Sequence, residues 1–296
     1  MEIRIVENKD KNKKLKEYLM SELEFSGRLV KRLLSEGLVS VDGKKGYGDT
    51  KLKQGMEIKV DEFEKKDNLM LLPEDLKLQI IEEAESFIAV NKPAGMVMMP
   101  SEKVTSGTLA NGISFIFKEK GIEAPVRFLN RLDRDTSGIV IVPLSGFYHN
   151  SIQSAYENGE KLYYAIVDGC PEKGEGTIDA PLMKDYEKKG GVKISSIGVE
   201  AVTSYKVIER FQSYSLLELN LLTGRTHQIR AHLKHIGCPI VGDVLYGGSI
   251  GLIERQALHA YRISFKNPED GLLVEIECDL PEDMELLLEK LREGKL

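Results

Sequence analysis

Residues 128–142 read FLNRLDRDTSGIVIV, so two arginines and two aspartates stand directly before an uninterrupted apolar run. The run Ile139-Val140-Ile141-Val142 predicts a buried strand. Charges so close to an apolar strand tend to be paired, because an isolated buried ion is costly. A carboxylate held by an arginine stays ionised, as a nucleophile or base must, which makes Asp133 a candidate. From this segment alone, a surface turn with solvated charges is an equally good interpretation.

Residues 222–243 (LTGRTHQIRAHLKHIGCPIVGD) form a second segment rich in polar side chains. A glycine after a predicted strand indicates a tight turn into a helix, on which Thr226, Arg230 and Lys234 would share a face. His227 and His232 are five residues apart, unlike the i, i+4 pair of a zinc protease, so no metal site is predicted. Without other context, such histidines are more often hydrogen-bonding or core residues than catalysts.

Strands and helices alternate irregularly after residue 77. The predicted strands are Gln79–Ile81, Phe87–Val90, Ile139–Pro143, Tyr163–Val167, Val202–Ile208 and Ser215–Leu221. The predicted helices are Gly107–Lys118, Tyr148–Asn158 and Pro281–Arg292. An irregular mixture of this kind favours an α+β fold over a regular parallel array.

The chain has 296 residues, of which 42% are hydrophobic and 30% charged, values typical of a soluble globular protein. No signal peptide or membrane-spanning run is predicted. The cysteines, Cys170, Cys238 and Cys278, form no CxxC pair, which argues against a disulfide framework or a zinc site. These features favour a cytoplasmic location.

Charge and periodicity divide the chain. We predict a small domain at residues 1–62, a charged linker at 63–76 and a main domain at 77–296. The net charge is -6, yet residues 1–60 hold 14 Lys and Arg against 10 Asp and Glu. A basic end on an acidic body is expected where one end binds a polyanion. A lysine-rich end that is merely soluble is the alternative.

The small domain carries two predicted helices, Lys14–Leu23 and Gly27–Glu36, the second with Ser26 as its N-cap. That helix presents three candidate RNA-binding residues, Arg28, Lys31 and Arg32. The text SGRLVKRLLSEGLVSVDGKK, followed by TKLKQGMEIKV, resembles the RNA-binding domain named for ribosomal protein S-four. In that family the second helix lies against RNA phosphates. An unrelated helix pair with a hairpin is the alternative.

Five ordered motifs between residues 80 and 268 resemble those of the RluA/RluD-type RNA pseudouridine synthases. They are VNKPAGMV at 90–97, NRLDRDTSG at 130–138, KLYYA at 161–165, TGRTHQIRAH with GCPIVGD at 223–243, and LHA at 258–260. The resemblance implies a mixed, mainly antiparallel sheet with a central catalytic cleft, and an enzyme that needs no cofactor.

The resemblance also assigns roles to residues. Asp133 matches the catalytic aspartate, and Arg230 matches the arginine that pairs with it. Tyr163 matches a tyrosine stacked near the target base and able to transfer a proton, although a core tyrosine is the alternative. Arg131 matches an arginine that helps hold the place of the flipped-out nucleotide. The other motif residues expected to contact substrate are Asn130, Lys92, Arg225, His227 and Gln228.

The chain departs from the family pattern at two places. Asn130 stands where the family usually has histidine, and asparagine cannot carry a proton near neutral pH. Met98-Met99-Pro100 replaces a segment that usually contains histidine. Both changes bear on substrate preference more than on the type of reaction.

We therefore expect a monomeric enzyme that isomerises uridine to pseudouridine in structured RNA, most readily large-subunit ribosomal RNA. Reaching a paired base requires its extrusion, which costs a few kcal/mol. No obligatory protein partner is predicted. The alternatives are the same chemistry on transfer RNA or several RNAs, a non-catalytic RNA-binding or assembly factor, and a hydrolase that uses the His227 neighbourhood. No serine or cysteine nucleophile motif accompanies that histidine.

Overall fold

The structure is a computed structural model, and it describes residues 2–23, 25, 27–61, 71–187, 190–268 and 270–295. Two compact units divide the chain, residues 1–70 and residues 71–296. Most of the predicted linker and Ser26 lie outside the described residues. Among the described helices, none is both long and apolar enough to cross a membrane.

The first unit is a small α/β body with its own apolar core. Its elements are β1 (Glu2–Ile5), α1 (Leu15–Ser21), α2 (Gly27–Glu36), β2 (Val39–Val41), β3 (Lys44–Lys45) and β4 (Glu57–Val60). The strands lie in the order β1-β4-β2-β3. Leu15, Leu19, Leu33 and Ile58 are buried in the core between the helices and this sheet. The second helix has the bounds predicted from the sequence, and Gly37 follows it with φ +74°.

The second unit alternates strands with helices. In chain order its elements are β5 (Gln79–Glu83), β6 (Phe87–Lys92), α3 (Leu109–Lys120), β7 (Ser137–Pro143), α4 (Gly146–Asn158), β8 (Glu160–Asp168), β9 (Glu175–Asp179), β10 (Leu182–Lys184), β11 (Val192–Ile194), β12 (Val202–Arg210), β13 (Tyr214–Leu221), α5 (Gln228–His235), β14 (Leu258–Lys266), β15 (Leu273–Glu277) and α6 (Glu282–Arg292).

A large, mainly antiparallel sheet dominates this unit. Among the described strands the order is β5-β6-β7-β14-β8-β13-β12-β9, and β15 also pairs with β14. The pair β7–β14 is parallel, whereas the other pairs of this sheet are antiparallel in the described part of the chain. Strands β10 and β11 form a separate hairpin. The unit is thus a mixed α+β body, as the sequence predicts.

Strand β7 lies inside the sheet, which explains its uninterrupted apolar run. Val140 and Val142 pack into the same core cluster as α3, while Ile139 and Ile141 pack with α4 on the other side. Gly138 (φ +121°) lies where β7 meets β14, and a Cβ there would approach the Ala260 carbonyl oxygen to 2.2 Å. Only glycine fits this junction, so the turn before β7 is drawn against β14.

Two sequence predictions need correction at the level of elements. Thr226 does not share a helical face with Arg230, because α5 begins only at Gln228, after His227 with φ +52°. The sequence also did not reveal β14 or β15. Strand β14 contains His259 and Arg262 among its apolar residues, which weakens the period-two pattern.

Candidate active site

The turn at residues 131–136, the start of α5 and the middle of β8 enclose a cleft in the second unit. Its volume is about 340 Å³ including the open mouth, and Arg131, Asp133, Tyr163, Arg225 and His227 are among its lining residues. The two segments that the sequence marked as rich in chemistry, separated by about ninety residues, thus face each other.

An ion pair between Asp133 and Arg230 lies at the centre of the cleft. The Arg230 Nη1 donates to Asp133 Oδ2 at 2.9 Å, and the Asp133 side chain is 26% exposed. Among the described residues, none forms a hydrogen bond with Asp133 Oδ1. One carboxylate oxygen is therefore fixed by the guanidinium while the other has no protein partner there.

A second carboxylate, Asp243, holds the same arginine from behind. Arg230 Nε and Nη2 donate to Asp243 Oδ2 and Oδ1 at 2.7 and 2.9 Å, and the Asp243 side chain is fully buried. Burial alone lowers the pKa of Arg230, but hydrogen bonds and charge from Asp243, and then from Asp133, outweigh it and raise that pKa. The guanidinium is thus permanently charged, and it forms a charge-assisted hydrogen bond with the Asp133 carboxylate.

Tyr163 projects from β8 into the cleft. Its side chain is buried, and burial, with a smaller contribution from the negative charge of Asp133, raises the pKa of its hydroxyl. The phenol therefore remains protonated at neutral pH, so it can donate a hydrogen bond or stack as a flat ring.

His227 lines the cleft on the α5 side, and Tyr246 packs behind it. His227 Nε2 lies 3.6 Å from Asp133 Oδ2, and its Nδ1 lies 3.2 Å from the Tyr246 hydroxyl. The Tyr246 ring packs under the guanidinium of Arg230 at 5.1 Å from the ring centroid. The arrangement gives one partly exposed carboxylate, one fixed cation and the phenol of Tyr163 around the cleft, with Tyr246 packed behind Arg230 and His227.

Known proteins resemble this chain in sequence over most of its length. The sequence profile of the family RNA pseudouridylate synthase matches residues 86–235. The chain is 36% identical over 291 residues to the uncharacterized RNA pseudouridine synthase YlyB of Bacillus subtilis (strain 168), with 96% of each chain covered. It is 34% identical over 276 residues to ribosomal large subunit pseudouridine synthase D of Neisseria meningitidis, covering 88% of this chain and 73% of that protein.

The chain belongs to the RNA pseudouridylate synthase family. The solved structure of human RNA pseudouridylate synthase domain containing 1 aligns with a TM-score of 0.56 at 25% identity, covering 73% of this chain and 94% of that one. The family and the fold expected from the sequence motifs are thereby confirmed. This protein is an isomerase that makes pseudouridine in RNA.

Two arginines of the synthase are exposed at the mouth of the cleft. Arg131 forms no hydrogen bond or ion pair with any residue that the structure describes. Arg225 uses only its Nε, which donates to the Glu200 carbonyl at 3.0 Å. Both guanidinium groups therefore remain able to meet RNA phosphates or to stack on a base.

Lys92 and Asn130, expected to contact substrate, are scaffold residues in this synthase. Lys92 is fully buried, and its Nζ donates to the carbonyls of Pro93, Met96 and Arg134 at 2.8–2.9 Å. Burial lowers its pKa to about 8. The three donors of the ammonium group are used, so Lys92 fixes the turn instead of reaching RNA.

The side chain of Asn130 bonds to the backbone of β7. Its Nδ2 donates to the Ile139 carbonyl at 2.8 Å, and its Oδ1 accepts from the Ile141 N–H at 3.0 Å. An amide can satisfy both strand groups at once, which accounts for asparagine at this position. In the structure the side chain thus acts as a backbone clamp, and its expected substrate contact stays a prediction.

The side-chain amide of Gln228 likewise forms its hydrogen bonds within the protein. Its Oε1 accepts from the Thr223 hydroxyl and the Arg225 N–H, and its Nε2 donates to the Val202 carbonyl and the Thr203 hydroxyl. These four bonds fix the loop before α5 against β12, so Gln228 positions Arg225 and His227.

Several supporting residues were not identified from the sequence. Arg255 Nη1 donates to the Asp135 carbonyl at 3.3 Å while its other nitrogens bind the Asp283 carboxylate at the start of α6. Gln256 donates to the Thr136 hydroxyl. Asp243 stood in a recognised motif, but its role appears only in three dimensions, and Arg255 carried no sequence signal.

The candidate RNA-binding residues of the first unit are only partly described. Lys31 is exposed on α2. The side chains of Arg28 and Arg32 lie outside the described residues.

Proposed function

We propose that the synthase acts on a uridine flipped out of large-subunit ribosomal RNA, with Asp133 as the catalytic carboxylate. The ion pair of Asp133 with Arg230 carries the proposal, because it places an ionised oxygen in an open cleft beside Tyr163. A carboxylate there can attack the anomeric carbon, stabilise oxocarbenium-like charge, or remove a proton from the neighbouring ribose carbon.

The other side chains that line the cleft bind the base, the vacated stack and the phosphate. The ring of Tyr163 packs against the uracil, and its protonated hydroxyl hydrogen-bonds the base. Arg131 fills the space that the extruded nucleotide leaves, which offsets part of the cost of unstacking. Arg225 binds phosphate. The reaction is an isomerisation in which the bond from N1 to the ribose breaks and a bond from C5 forms.

Ribosomal RNA is favoured by the relatives. Proteins of Neisseria meningitidis and Xanthomonas campestris that are 34% and 32% identical to this chain carry the name ribosomal large subunit pseudouridine synthase D. The predicted small domain at residues 1–62, joined by the predicted linker at 63–76, binds RNA phosphates without sequence preference through Arg28, Lys31 and Arg32. The synthase acts as a monomer.

The carboxylate is tested by replacing Asp133 with Asn in the full-length protein. Pseudouridine formation on unmodified large-subunit ribosomal RNA should be abolished, while RNA affinity persists. The matched control is Asp135→Asn in the same turn, because the ion pair of Asp135 among the described residues is with the exposed Arg134. Retained turnover in the Asp133 variant, or equal loss in both, contradicts the assignment.

The RNA target is tested separately by mapping pseudouridine in total RNA from cells with and without this gene. Loss of one or a few sites in large-subunit ribosomal RNA is expected. Loss confined to transfer RNA establishes the alternative substrate.

A further inference from the structure

His227 has two polar contacts, and together they constrain its protonation. Its Nε2 faces Asp133 Oδ2 at 3.6 Å, while its Nδ1 lies 3.2 Å from the Tyr246 hydroxyl. The backbone at His227 has φ +52°, a conformation that costs about 1 kcal/mol or more for a residue other than glycine. The chain accepts this strain at the position that turns the imidazole toward the carboxylate.

The hydrogen bonds of Tyr246 fix the direction of its hydroxyl proton. The Val192 N–H can only donate, and it points to the Tyr246 oxygen at 2.9 Å. Tyr246 is buried, and burial raises its pKa, so it remains a protonated phenol. Within the described residues, the other hydrogen-bond partner of this hydroxyl is His227 Nδ1. The Tyr246 hydroxyl can donate its proton to His227 Nδ1 only if that nitrogen is unprotonated. The imidazole proton must then lie on Nε2.

We propose that Tyr246 is a positioning residue that holds His227 as a neutral imidazole with its Nε2–H directed at the catalytic carboxylate. This inference rests on the proposed role of Asp133. We call the following chain of contacts the relay. The Val192 N–H of the β10–β11 hairpin donates to the Tyr246 hydroxyl, that hydroxyl bonds to His227 Nδ1, and His227 Nε2 faces Asp133. In this arrangement His227 acts through the carboxylate of Asp133, while its expected substrate contact stays a prediction.

The charges around the imidazole explain why its neutrality matters. The groups that face it are Asp133, Arg230, Asp243 and Tyr246. Burial lowers the pKa of His227 first, Asp133 raises it and Arg230 lowers it, with a lowered pKa as the result. A protonated His227 would be a second cation beside Asp133 and would lower the electron density of the whole carboxylate. Because Tyr246 occupies the Nδ1 lone pair, protonation there must first break a hydrogen bond.

Nuclear magnetic resonance of the full-length protein tests the relay without RNA. Long-range proton–nitrogen correlation spectra report the tautomer and pKa of each histidine, and His227→Gln identifies the signal. The wild type should show Nε2–H at pH 7. In Tyr246→Phe, which keeps the ring under Arg230, the pKa of His227 should rise by about one unit, the value of one hydrogen bond. Tyr205→Phe, a phenol outside the cleft lining, is the control. An Nδ1–H tautomer in the wild type overturns the proposal.

Kinetics on large-subunit ribosomal RNA transcribed in vitro adds a functional arm. In Tyr246→Phe the acidic limb of kcat/KM should move up by about one pH unit, so the loss relative to wild type should be larger at pH 6 than at pH 8.5. The double variant His227→Gln, Tyr246→Phe should have the same acidic limb of kcat/KM as His227→Gln alone. A uniform loss at every pH in the single variant contradicts a role in protonation. If the wild type forms no pseudouridine, the proposed function fails while the tautomer result stands independently.

Discussion

A single guanidinium connects the buried and the open part of the cleft. Arg230 uses Nε and Nη2 on the fully buried Asp243 and only Nη1 on the partly exposed Asp133. A lysine could not bind both carboxylates in this geometry, because its ammonium is a point charge and lacks the planar donor fork of a guanidinium. The division fixes Asp133 Oδ2 in place without occupying the whole carboxylate, as a reactive oxygen requires.

Replacing Asp243 with Asn should therefore damage both stability and turnover. Removing one partner of a buried ion pair costs about 3–5 kcal/mol, and a misplaced Arg230 should lower kcat on the order of a hundredfold. Urea unfolding and single-turnover pseudouridine formation measure the two effects. The control is Glu209→Gln, which breaks the exposed pair with Arg292 and should cost about 1 kcal/mol or less. Equal costs in both variants would show that Asp243 is no more than a surface partner.

The residues of the cleft were predictable in type more than in role. Asp133, Tyr163 and Arg230 were found because their motifs are dense and ordered along the chain. For Lys92 and Gln228 the expected substrate contacts stay predictions, and a sequence does not reveal that their N–H donors bond carbonyls and hydroxyls of the protein. Both original interpretations of residues 128–138 hold in part, because Arg134 pairs with Asp135 at the surface while Asp133 pairs with Arg230 in the cleft.

At the scale of elements, the parallel contact between β7 and β14 determines where the turn at residues 131–136 lies. Next to Gly138, the Ser137 hydroxyl lies 2.9 Å from Nδ1 of His259 on β14, and Nε2 of that histidine lies 3.2 Å from Cys278 Sγ. His259 is fully buried, so this bridge holds the start of β7 from inside the sheet.

The bridge makes stability depend on pH. Burial, with a smaller contribution from Arg255, lowers the pKa of His259 from 6.5 to about 4. The unfolded chain takes up this proton below about pH 6.5 and the folded chain only near pH 4, so acid favours unfolding. Between pH 7.5 and pH 5 the free energy of unfolding should fall by about 2 kcal/mol through His259 alone. Urea unfolding at both pH values measures the loss.

The variant His259→Gln isolates that contribution. It should be less stable than wild type at pH 7.5, yet its loss between pH 7.5 and pH 5 should be smaller by the same about 2 kcal/mol. Identical losses in the two proteins would mean that His259 does not titrate as the structure indicates.

Helices were easier to predict than strands for a physical reason. The helix α2 has a glycine stop and a strong apolar stripe, both local signals, so its bounds were found. Strand β15 exposes Leu273 and buries Ile276 only because β14 lies beside it, a non-local cause that a single sequence does not show.

At the scale of the whole molecule, two units of opposite charge share one chain. The net charge is about +4 over residues 1–60 and about -10 over the rest, from 14 basic against 10 acidic residues and 27 against 37. An acidic catalytic unit gains little RNA affinity from its overall charge, so a basic unit on the same chain is needed to hold the polyanion. We expect the salt dependence of binding to originate in the first unit.

The triple variant Arg28→Ala, Lys31→Ala, Arg32→Ala tests this division in the full-length protein. Each lost phosphate contact removes about 0.7 from the slope of log affinity against log salt for single-stranded nucleic acid, so the slope should fall by about two. The matched control removes three exposed lysines of the same unit, Lys44, Lys45 and Lys51, and should change the slope less. Binding of large-subunit ribosomal RNA between 50 and 300 mM salt, followed by fluorescence anisotropy, supplies both slopes. Equal slopes would assign the effect to net charge and remove the specific role of α2, whereas an unchanged slope in the first variant would exclude this unit from RNA binding.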